Sequence, residues 1–154
     1  MKKCQISHTI LMADDDAEEC LLVDEALKEA GTCYQLRIVH DGDELLSYLR
    51  HCGEYEGGRG APRPDLILLD LKMPRRDGHE VIQELKNDSC LRQIPVVAFT
   101  TSTTSDDVEM VYSLGANSYV AKPSTFGDLV ETVKILCQYW FNVVELPGQA
   151  CSSR

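Results

Sequence analysis

With 154 residues, 44% of them hydrophobic, the chain can build one folded core but not two domains of ordinary size. Its 25 acidic and 15 basic residues give a net charge of -10, which argues against a nucleic-acid surface, because binding phosphates requires clustered Lys and Arg. No apolar stretch approaches the ~20 residues of a membrane span, so we expect a cytoplasmic protein.

The first half of the chain predicts two strands, each followed by a helix. The strand Thr9–Ala13 has no polar alternation, so we expect it to be covered on both faces, and a helix begins near Ala17. The second strand, 36–40, alternates more and is predicted at a sheet edge. The second helix follows the capping box 41–44. Gly, Pro, Arg and Glu are frequent in 51–64, which predicts a surface loop.

The second half of the chain repeats this alternation. Three strands are predicted at 65–70, 96–99 and 119–121, and amphipathic helices follow them, the last of which runs to about Trp140. Five strand–helix units in strict alternation predict an α/β fold. We expect a doubly wound, flavodoxin-like parallel sheet of five strands in the order 2-1-3-4-5.

Polar residues stand at the ends of four predicted strands. Asp14 and Asp15 follow the first strand, Asp70 ends the third, and Thr100 and Lys122 end the fourth and fifth. Because the carboxyl ends of parallel strands meet at one edge of the sheet, we expect these five side chains to converge. Three carboxylates tolerate one another there only around a divalent cation. Such a group is suited to accepting a phosphoryl group on an aspartate.

Two nearby aspartates have a structural interpretation. Asp16 and Glu19 have the spacing of a capping box, and so do Asp77 and Glu80, so we assign Asp16 and Asp77 to helix N-termini. Any one of the five strand-end residues could also be structural by itself. Their joint placement at four strand ends is what favours a functional site.

These residues occur in motifs that together resemble a known family. The motifs are Asp14-Asp15, Leu69-Asp70-Leu71-Lys72-Met73-Pro74 with Asp77-Gly78, Thr100-Thr101-Ser102, Gly115-Ala116-Asn117-Ser118-Tyr119 and Lys122-Pro123. From about Thr9 to Trp140, the chain resembles response-regulator receiver domains, which have the CheY-like fold. Each motif is weak alone, but their order and separations are specific.

The resemblance implies a role for each site residue. Asp70 is the implied phosphoacceptor, and Mg²⁺ is coordinated by Asp15, Asp70 and the backbone carbonyl of Lys72, with Asp14 acting through water. Phosphoryl binding and switching are implied for Thr100, Thr101, Lys122 and Tyr119. The Lys122–Pro123 peptide bond is often cis in this family.

The implied function is that of a single-domain response regulator in a two-component phosphorelay, with a sensor histidine kinase as partner. No output domain follows Trp140, so we expect signalling through protein contacts, without turnover of an external substrate. The segments 51–64 and 140–147 resemble regulators paired with bacterial phytochrome kinases, although other stand-alone receivers have similar ends. The apolar residues of 140–147 either pack on the domain or, with the fourth helix, fifth strand and fifth helix, form a homodimer surface.

Two other classes of protein share some of these features. A Mg²⁺-dependent aspartyl phosphohydrolase would also use Asp70 as nucleophile, but it usually has a second carboxylate two residues later, where this chain has Lys72. A flavodoxin-like FMN carrier needs a phosphate-binding loop rich in Ser, Thr and Gly after the first strand. This chain has three aspartates there, which would repel a phosphate.

The chain is predicted to have an N-terminal tail at 1–8, a receiver domain with a helix extension at 9–147 and a polar tail at 148–154. Its seven cysteines include no CxxC pair and no metal-type spacing. We therefore expect reduced thiols, with redox sensing or thiol ligation as the alternative.

Overall fold

Five parallel strands form one sheet in the computed structural model, which describes residues 8–31, 34–58 and 60–147. The strands are β1 (Thr9–Ala13), β2 (Gln35–Val39), β3 (Leu66–Leu69), β4 (Val96–Thr100) and β5 (Ser118–Ala121). Their order in the sheet is β2-β1-β3-β4-β5, and every neighbouring pair is parallel. The predicted doubly wound topology is therefore confirmed.

Each strand is followed by an α-helix that begins at a side-chain cap. The helices are α1 (Ala17–Glu29), α2 (Gly42–Arg50), α3 (Gly78–Lys86), α4 (Ser105–Ser113) and α5 (Phe126–Gln138). Their N-caps are Asp16, Asp41, Asp77, Thr104 and Thr125, whose side chains accept hydrogen bonds from backbone N–H groups of the first turn. These caps satisfy donors that the helix itself leaves unpaired, which explains where each helix starts.

The sheet separates two hydrophobic cores. Leu11 and Ile67 face the core that α2, α3 and α4 cover, whereas Ile10 and Leu66 face the core that α1 and α5 cover. Consecutive residues of β1 and β3 thus enter opposite cores, because side chains alternate across a strand. This arrangement explains why the central strands are apolar without alternation. The edge strand β2 is partly exposed, as its sequence predicts.

Strand register aligns the ends of the strands that carry the polar residues. Ala13 pairs with Leu69, so the residues after β1 and β3 leave the sheet side by side. Thr100 pairs with Ala121, which places the last residue of β4 beside the chain that continues from β5. The sheet itself therefore brings together segments separated by more than one hundred residues.

The described residues of 51–64 are largely exposed, in line with the predicted surface loop, and they include 3₁₀ turns in Gly53–Gly58 that are interrupted at Glu56 and Gly57. Two tyrosines anchor it: the Tyr48 hydroxyl donates to the Pro62 carbonyl at 2.8 Å, and the Tyr55 hydroxyl donates to Glu44 at 2.7 Å. Ala61 is buried in the core beneath the loop. The loop therefore contributes to packing, which its composition does not indicate.

The end of the described chain packs back onto the domain. A π-helical turn, Tyr139–Val143, continues α5, and within it the Phe141 ring lies 4.4 Å from the His8 ring and 4.6 Å from the Tyr34 ring. Phe141 is 9% exposed, whereas Val143 is 71% exposed. The extension therefore packs on the body and also presents apolar side chains to solvent. Apart from His8, the predicted tails 1–8 and 148–154 lie outside the described residues.

The cysteine prediction needs one correction. Within the described ranges, Cys20, Cys52 and Cys137 are free thiols, but Cys90 is disulfide-bonded. The expectation of seven reduced thiols is therefore wrong at Cys90, because spacing along the chain does not reveal which sulfur atoms come within bonding distance in the fold.

No helix of the described part of the chain is long and apolar enough to cross a bilayer.

Replacing Phe141 with Ala should lower the free energy of unfolding by about 3 kcal/mol, because a buried aromatic ring is lost. Urea denaturation measures this change. The matched control is Val143→Ala in the same turn, where the side chain is largely exposed, and it should alter stability by less than about 0.5 kcal/mol. Equal, small effects of both changes would contradict packing of the extension on the domain.

Candidate functional site

The carboxyl ends of four strands form one acidic pocket. Oxygen atoms of Asp14, Asp15 and Asp70 all lie within 4.8 Å of one another. Thr100 and Lys122 reach the same place, since both donate hydrogen bonds to Asp70. The structure thus brings together all five residues that were predicted to converge there.

Asp70 is held from both sides of its carboxylate. Oδ1 accepts hydrogen bonds from the Thr100 hydroxyl at 3.0 Å and from the Lys72 backbone N–H at 3.3 Å. Oδ2 accepts from the Lys122 ammonium, also at 3.3 Å. Asp70 is only 9% exposed, so this carboxylate is oriented by protein groups while remaining reachable from the pocket.

Gly78 allows the chain after Asp70 to fold back closely. A Cβ at this position would lie 2.7 Å from the Leu71 Cα and 2.9 Å from the Asp70 carbonyl oxygen, both of them backbone atoms. The Gly78 N–H donates to the Leu71 carbonyl at 2.9 Å. Any larger residue would push the start of α3 away from the pocket.

Lys122 is the cation at the centre of the pocket. Its Nζ donates to Asp14 Oδ2 at 2.6 Å and to Asp70 Oδ2, and it is also paired with Glu19 Oε2. The Lys122 side chain is 9% exposed. No cis peptide bond occurs among the described residues, so the Lys122–Pro123 bond is trans, which is the isomer of lower energy. The cis form that the resemblance to receiver domains suggested is therefore not seen here.

Glu19 is a site residue that sequence reasoning missed. The sequence assigns it to a capping box with Asp16, and Asp16 does cap α1 by accepting from the Glu18 N–H at 2.9 Å. The Glu19 carboxylate, however, pairs with Lys122, and the Asp16 N–H donates instead to Asp14 Oδ1 at 2.9 Å. The one available signal was the position of Glu19 in the first turn of a helix that starts at the site.

The pKa values of both Asp14 and Lys122 are raised, for different reasons. Burial raises the pKa of Asp14, against the lowering effect of its hydrogen bonds from Lys122 and the Asp16 N–H. Burial alone would lower the pKa of Lys122, but its hydrogen bonds with Asp14 and Glu19 and the charge of Asp70 raise it above its ordinary value. The ammonium therefore stays charged at neutral pH, and the pocket still carries more negative than positive charge.

The donor set fits a hard divalent cation. Three carboxylates offer oxygen atoms at one point, which is the ligand type that Mg²⁺, Mn²⁺ and Ca²⁺ prefer. Lys122 carries a single positive charge and cannot neutralise three carboxylates by itself. Asp15 is exposed, so an ion could reach the pocket from solvent.

The remaining predicted site residues lie around the pocket. Tyr119 is partly buried, and its hydroxyl donates to the Ser102 carbonyl in the loop after β4. The Ser102 hydroxyl in turn donates to Asp107 in the first turn of α4. The Thr101 side chain is exposed. Tyr119 thus links β5 to the loop that follows Thr100, and none of the described contacts joins Tyr119 to Asp70 itself.

A model of the response regulator receiver domain matches residues 10–134, which is most of the chain. The chain belongs to this family. The probable methanogenesis regulatory protein FilR2 of Methanothrix harundinacea is 42% identical over 92% of this chain and 88% of that protein. The response regulator Rcp1 of Synechocystis is 41% identical over 90% of this chain and 92% of that protein.

Two solved structures of such regulators are similar to this receiver domain over nearly its whole length. The phosphorylated cyanobacterial phytochrome response regulator RcpA has a TM-score of 0.84 and 38% identity, covering 92% of this chain and 99% of that one. The Mn²⁺-bound form of Rcp1 has a TM-score of 0.82 and 39% identity, covering 92% of this chain and 100% of that one. The resemblance to receiver domains is therefore confirmed.

Replacing Asp15 with Asn should weaken binding of Mg²⁺ or Mn²⁺ by at least about tenfold, because a charged ligand is lost from the shell of a divalent ion. Isothermal titration calorimetry measures the affinity. The control is Asp16→Asn, which removes an equal charge from the next residue and retains a good N-cap, so its affinity should stay close to wild type. Equal affinities for wild type and Asp15→Asn would remove Asp15 from the metal shell.

Proposed function

We propose that this receiver domain is a cytoplasmic response regulator that accepts a phosphoryl group from a histidine kinase on Asp70, with Mg²⁺ as cofactor. The observation that carries the proposal is the position of Asp70, whose carboxylate belongs to the acidic cluster and also accepts a hydrogen bond from the Lys122 ammonium. A divalent ion at the cluster and Lys122 can together neutralise the charge of a phosphoryl group on Asp70. The chain's net charge of -10 favours output through protein contacts over nucleic acid.

The reaction is a transfer between two nucleophiles. A carboxylate oxygen of Asp70 attacks the phosphorus of the phosphohistidine, a P–O bond forms, and the P–N bond breaks as the imidazole leaves with the electron pair. Negative charge spreads over the equatorial oxygens of the phosphoryl group in the transition state. Lys122 and the Thr100 hydroxyl can bind these oxygens, since both already contact Asp70. A divalent ion held by Asp15, Asp70 and the Lys72 carbonyl, with Asp14 acting through water, would supply further positive charge.

Phosphorylation would be transmitted through the ends of β4 and β5. The phosphoryl oxygens are new acceptors for the Thr100 hydroxyl, and Thr100 is followed directly by the loop to which Tyr119 is hydrogen-bonded. A shift of Thr100 therefore changes the contacts of that loop and of Tyr119. The surface formed by α4, β5 and α5 would respond, as a shift between two populated states.

We propose that the domain turns over its own phosphoryl group and acts on no external substrate. Lys72 supports this, because it stands two residues after Asp70, where an aspartyl phosphohydrolase would have an acid/base carboxylate. An ammonium side chain at that position cannot take a proton from an attacking alcohol or water at neutral pH.

The proposed donor is a histidine kinase of the phytochrome class. The similarity to RcpA, a phytochrome response regulator, supports this choice, as does the structure of regulator RPA3017 from red light signalling in R. palustris, with 34% identity and a TM-score of 0.88. FilR2 is equally similar in sequence and is named for methanogenesis. Sequence identity to these regulators therefore supports phosphoryl transfer to a receiver domain more strongly than it supports light as the stimulus of the kinase.

The proposal includes a homodimer formed through α4, β5, α5 and the C-terminal extension. Its support is the set of large apolar side chains exposed on these elements, namely Met110, Tyr112, Phe126, Ile135, Tyr139 and Val143. Exposed apolar side chains concentrated on adjoining elements are typical of interaction surfaces.

Asp70→Asn should abolish phosphorylation by the small phosphodonor phosphoramidate in the presence of Mg²⁺, because the amide is a much weaker nucleophile than the carboxylate. Intact-protein mass spectrometry should show the gain of one phosphoryl group in wild type and none in the variant. Asp77→Asn is the control, since Asn also caps α3, and it should be labelled like wild type. Labelling of the Asp70 variant at the wild-type level would refute the proposed function.

Light scattering should show that phosphorylation raises the molar mass of the wild type towards that of two copies. Ile135→Glu should keep the phosphorylated protein at one copy, because a charge would be buried in an apolar interface. Leu22→Glu on α1 is the matched control, as Leu22 is similarly exposed but lies outside the proposed surface, and it should dimerise normally. A constant mass of one copy for wild type would exclude the dimer.

A further inference from the structure

The Lys122 ammonium has no donor left for a phosphoryl group. An ammonium carries three N–H donors. In this structure they are directed to three different carboxylates, those of Asp14, Glu19 and Asp70. A phosphoryl oxygen on Asp70 can therefore bind Lys122 only if one of these three partners gives up its hydrogen bond.

The three carboxylates differ in what such a loss would cost. Asp14 is 0% exposed, so without Lys122 it would become a buried charge with too few partners. Asp70 is the residue that receives the phosphoryl group, so it remains beside Lys122. The Glu19 side chain is 32% exposed and can turn into water. Of the three carboxylates Glu19 is the most exposed, so water can most readily replace its lost partner, and Glu19 is the partner most easily displaced.

The location of Glu19 lowers the cost of its release further. It lies in the first turn of α1, where the N-terminal end of the helix favours a negative charge. Asp16 caps this turn through the N–H groups of Glu18 and Glu19, so the cap does not depend on the Glu19 carboxylate. Releasing the carboxylate from Lys122 leaves the fold of α1 intact.

We propose that Glu19 is a positioning residue of the phosphoryl-transfer site: its carboxylate holds Lys122 in the unphosphorylated protein and is displaced by the phosphoryl group on Asp70. This inference rests on the proposed function of Asp70. Glu19 thereby engages an N–H donor of Lys122 that would otherwise bind the phosphoryl oxygens in the transition state. Glu19 therefore slows phosphorylation. It also converts phosphorylation of Asp70 into a change at the surface of α1.

The kinetic test compares two glutamates of the same turn. Glu19→Gln weakens the hold on Lys122, because a neutral amide replaces a carboxylate but can still accept a hydrogen bond. Phosphorylation by phosphoramidate, in which Asp70 attacks phosphorus and ammonia leaves as the P–N bond breaks, should therefore accelerate about two- to fivefold. Glu18→Gln removes an equal charge from the exposed neighbour, whose side chain takes no part in the described contacts of Lys122. Its rate should equal that of wild type.

A spectroscopic signal reports the displacement directly. The side-chain carboxyl carbon of Glu19, observed by ¹³C NMR in protein labelled with ¹³C-glutamate and assigned through Glu19→Gln, should move on phosphorylation towards the position of a solvated glutamate. The signal of Glu18 should stay where it is. A role of Glu19 in folding alone would leave its signal unchanged when Asp70 is phosphorylated.

The outcomes separate this inference from the proposed function. Equal rates for wild type and Glu19→Gln, or equal acceleration by both Gln variants, would overturn the role of Glu19 while leaving Asp70 as phosphoacceptor. An unmoved Glu19 signal in protein that has gained one phosphoryl group would do the same. Phosphorylation of Asp70→Asn, in contrast, would reject the proposed function itself.

Discussion

The ion pairs of Lys122 are the interaction on which the site depends. A carboxylate as deeply buried as that of Asp14 is tolerated only beside a compensating charge, and Lys122 supplies that charge at 2.6 Å. The same ammonium reaches Asp70 and Glu19. One cation thus makes an otherwise repulsive cluster compatible with folding, and it leaves the cluster short of positive charge. That shortage is what suits the pocket to a divalent ion and to phosphoryl transfer.

The parallel sheet explains why such a cluster can exist at all. Helices cover both faces of the sheet, so β1 and β3 are anchored by two cores, and their carboxyl ends cannot shift easily. The functional groups lie just beyond these rigid ends, in loops that are free to change conformation. A rigid sheet followed by adaptable loops suits the proposed function, in which a local reaction changes the surface of the protein.

The contacts around the pocket connect chemistry to two different surfaces. Thr100 contacts Asp70, and the loop after Thr100 is hydrogen-bonded to Tyr119 of β5 and to the first turn of α4. Glu19, which pairs with Lys122, lies in the first turn of α1. Similar receiver domains carry names as different as phytochrome and methanogenesis regulation. Such a difference is expected when partner choice depends on surfaces and chemistry depends on a pocket.

The sequence by itself determined the five strands, their order and the convergence of Asp14, Asp15, Asp70, Thr100 and Lys122, because fully apolar runs mark strands buried on both faces and parallel strands end at one edge. Only the tertiary structure decided the partner of Glu19, which lies 103 residues from Lys122 in sequence. The local capping-box pattern pointed elsewhere. The burial of Ala61 and the bonded state of Cys90 were hidden for the same reason: each depends on which distant groups come into contact, and no local periodicity records that.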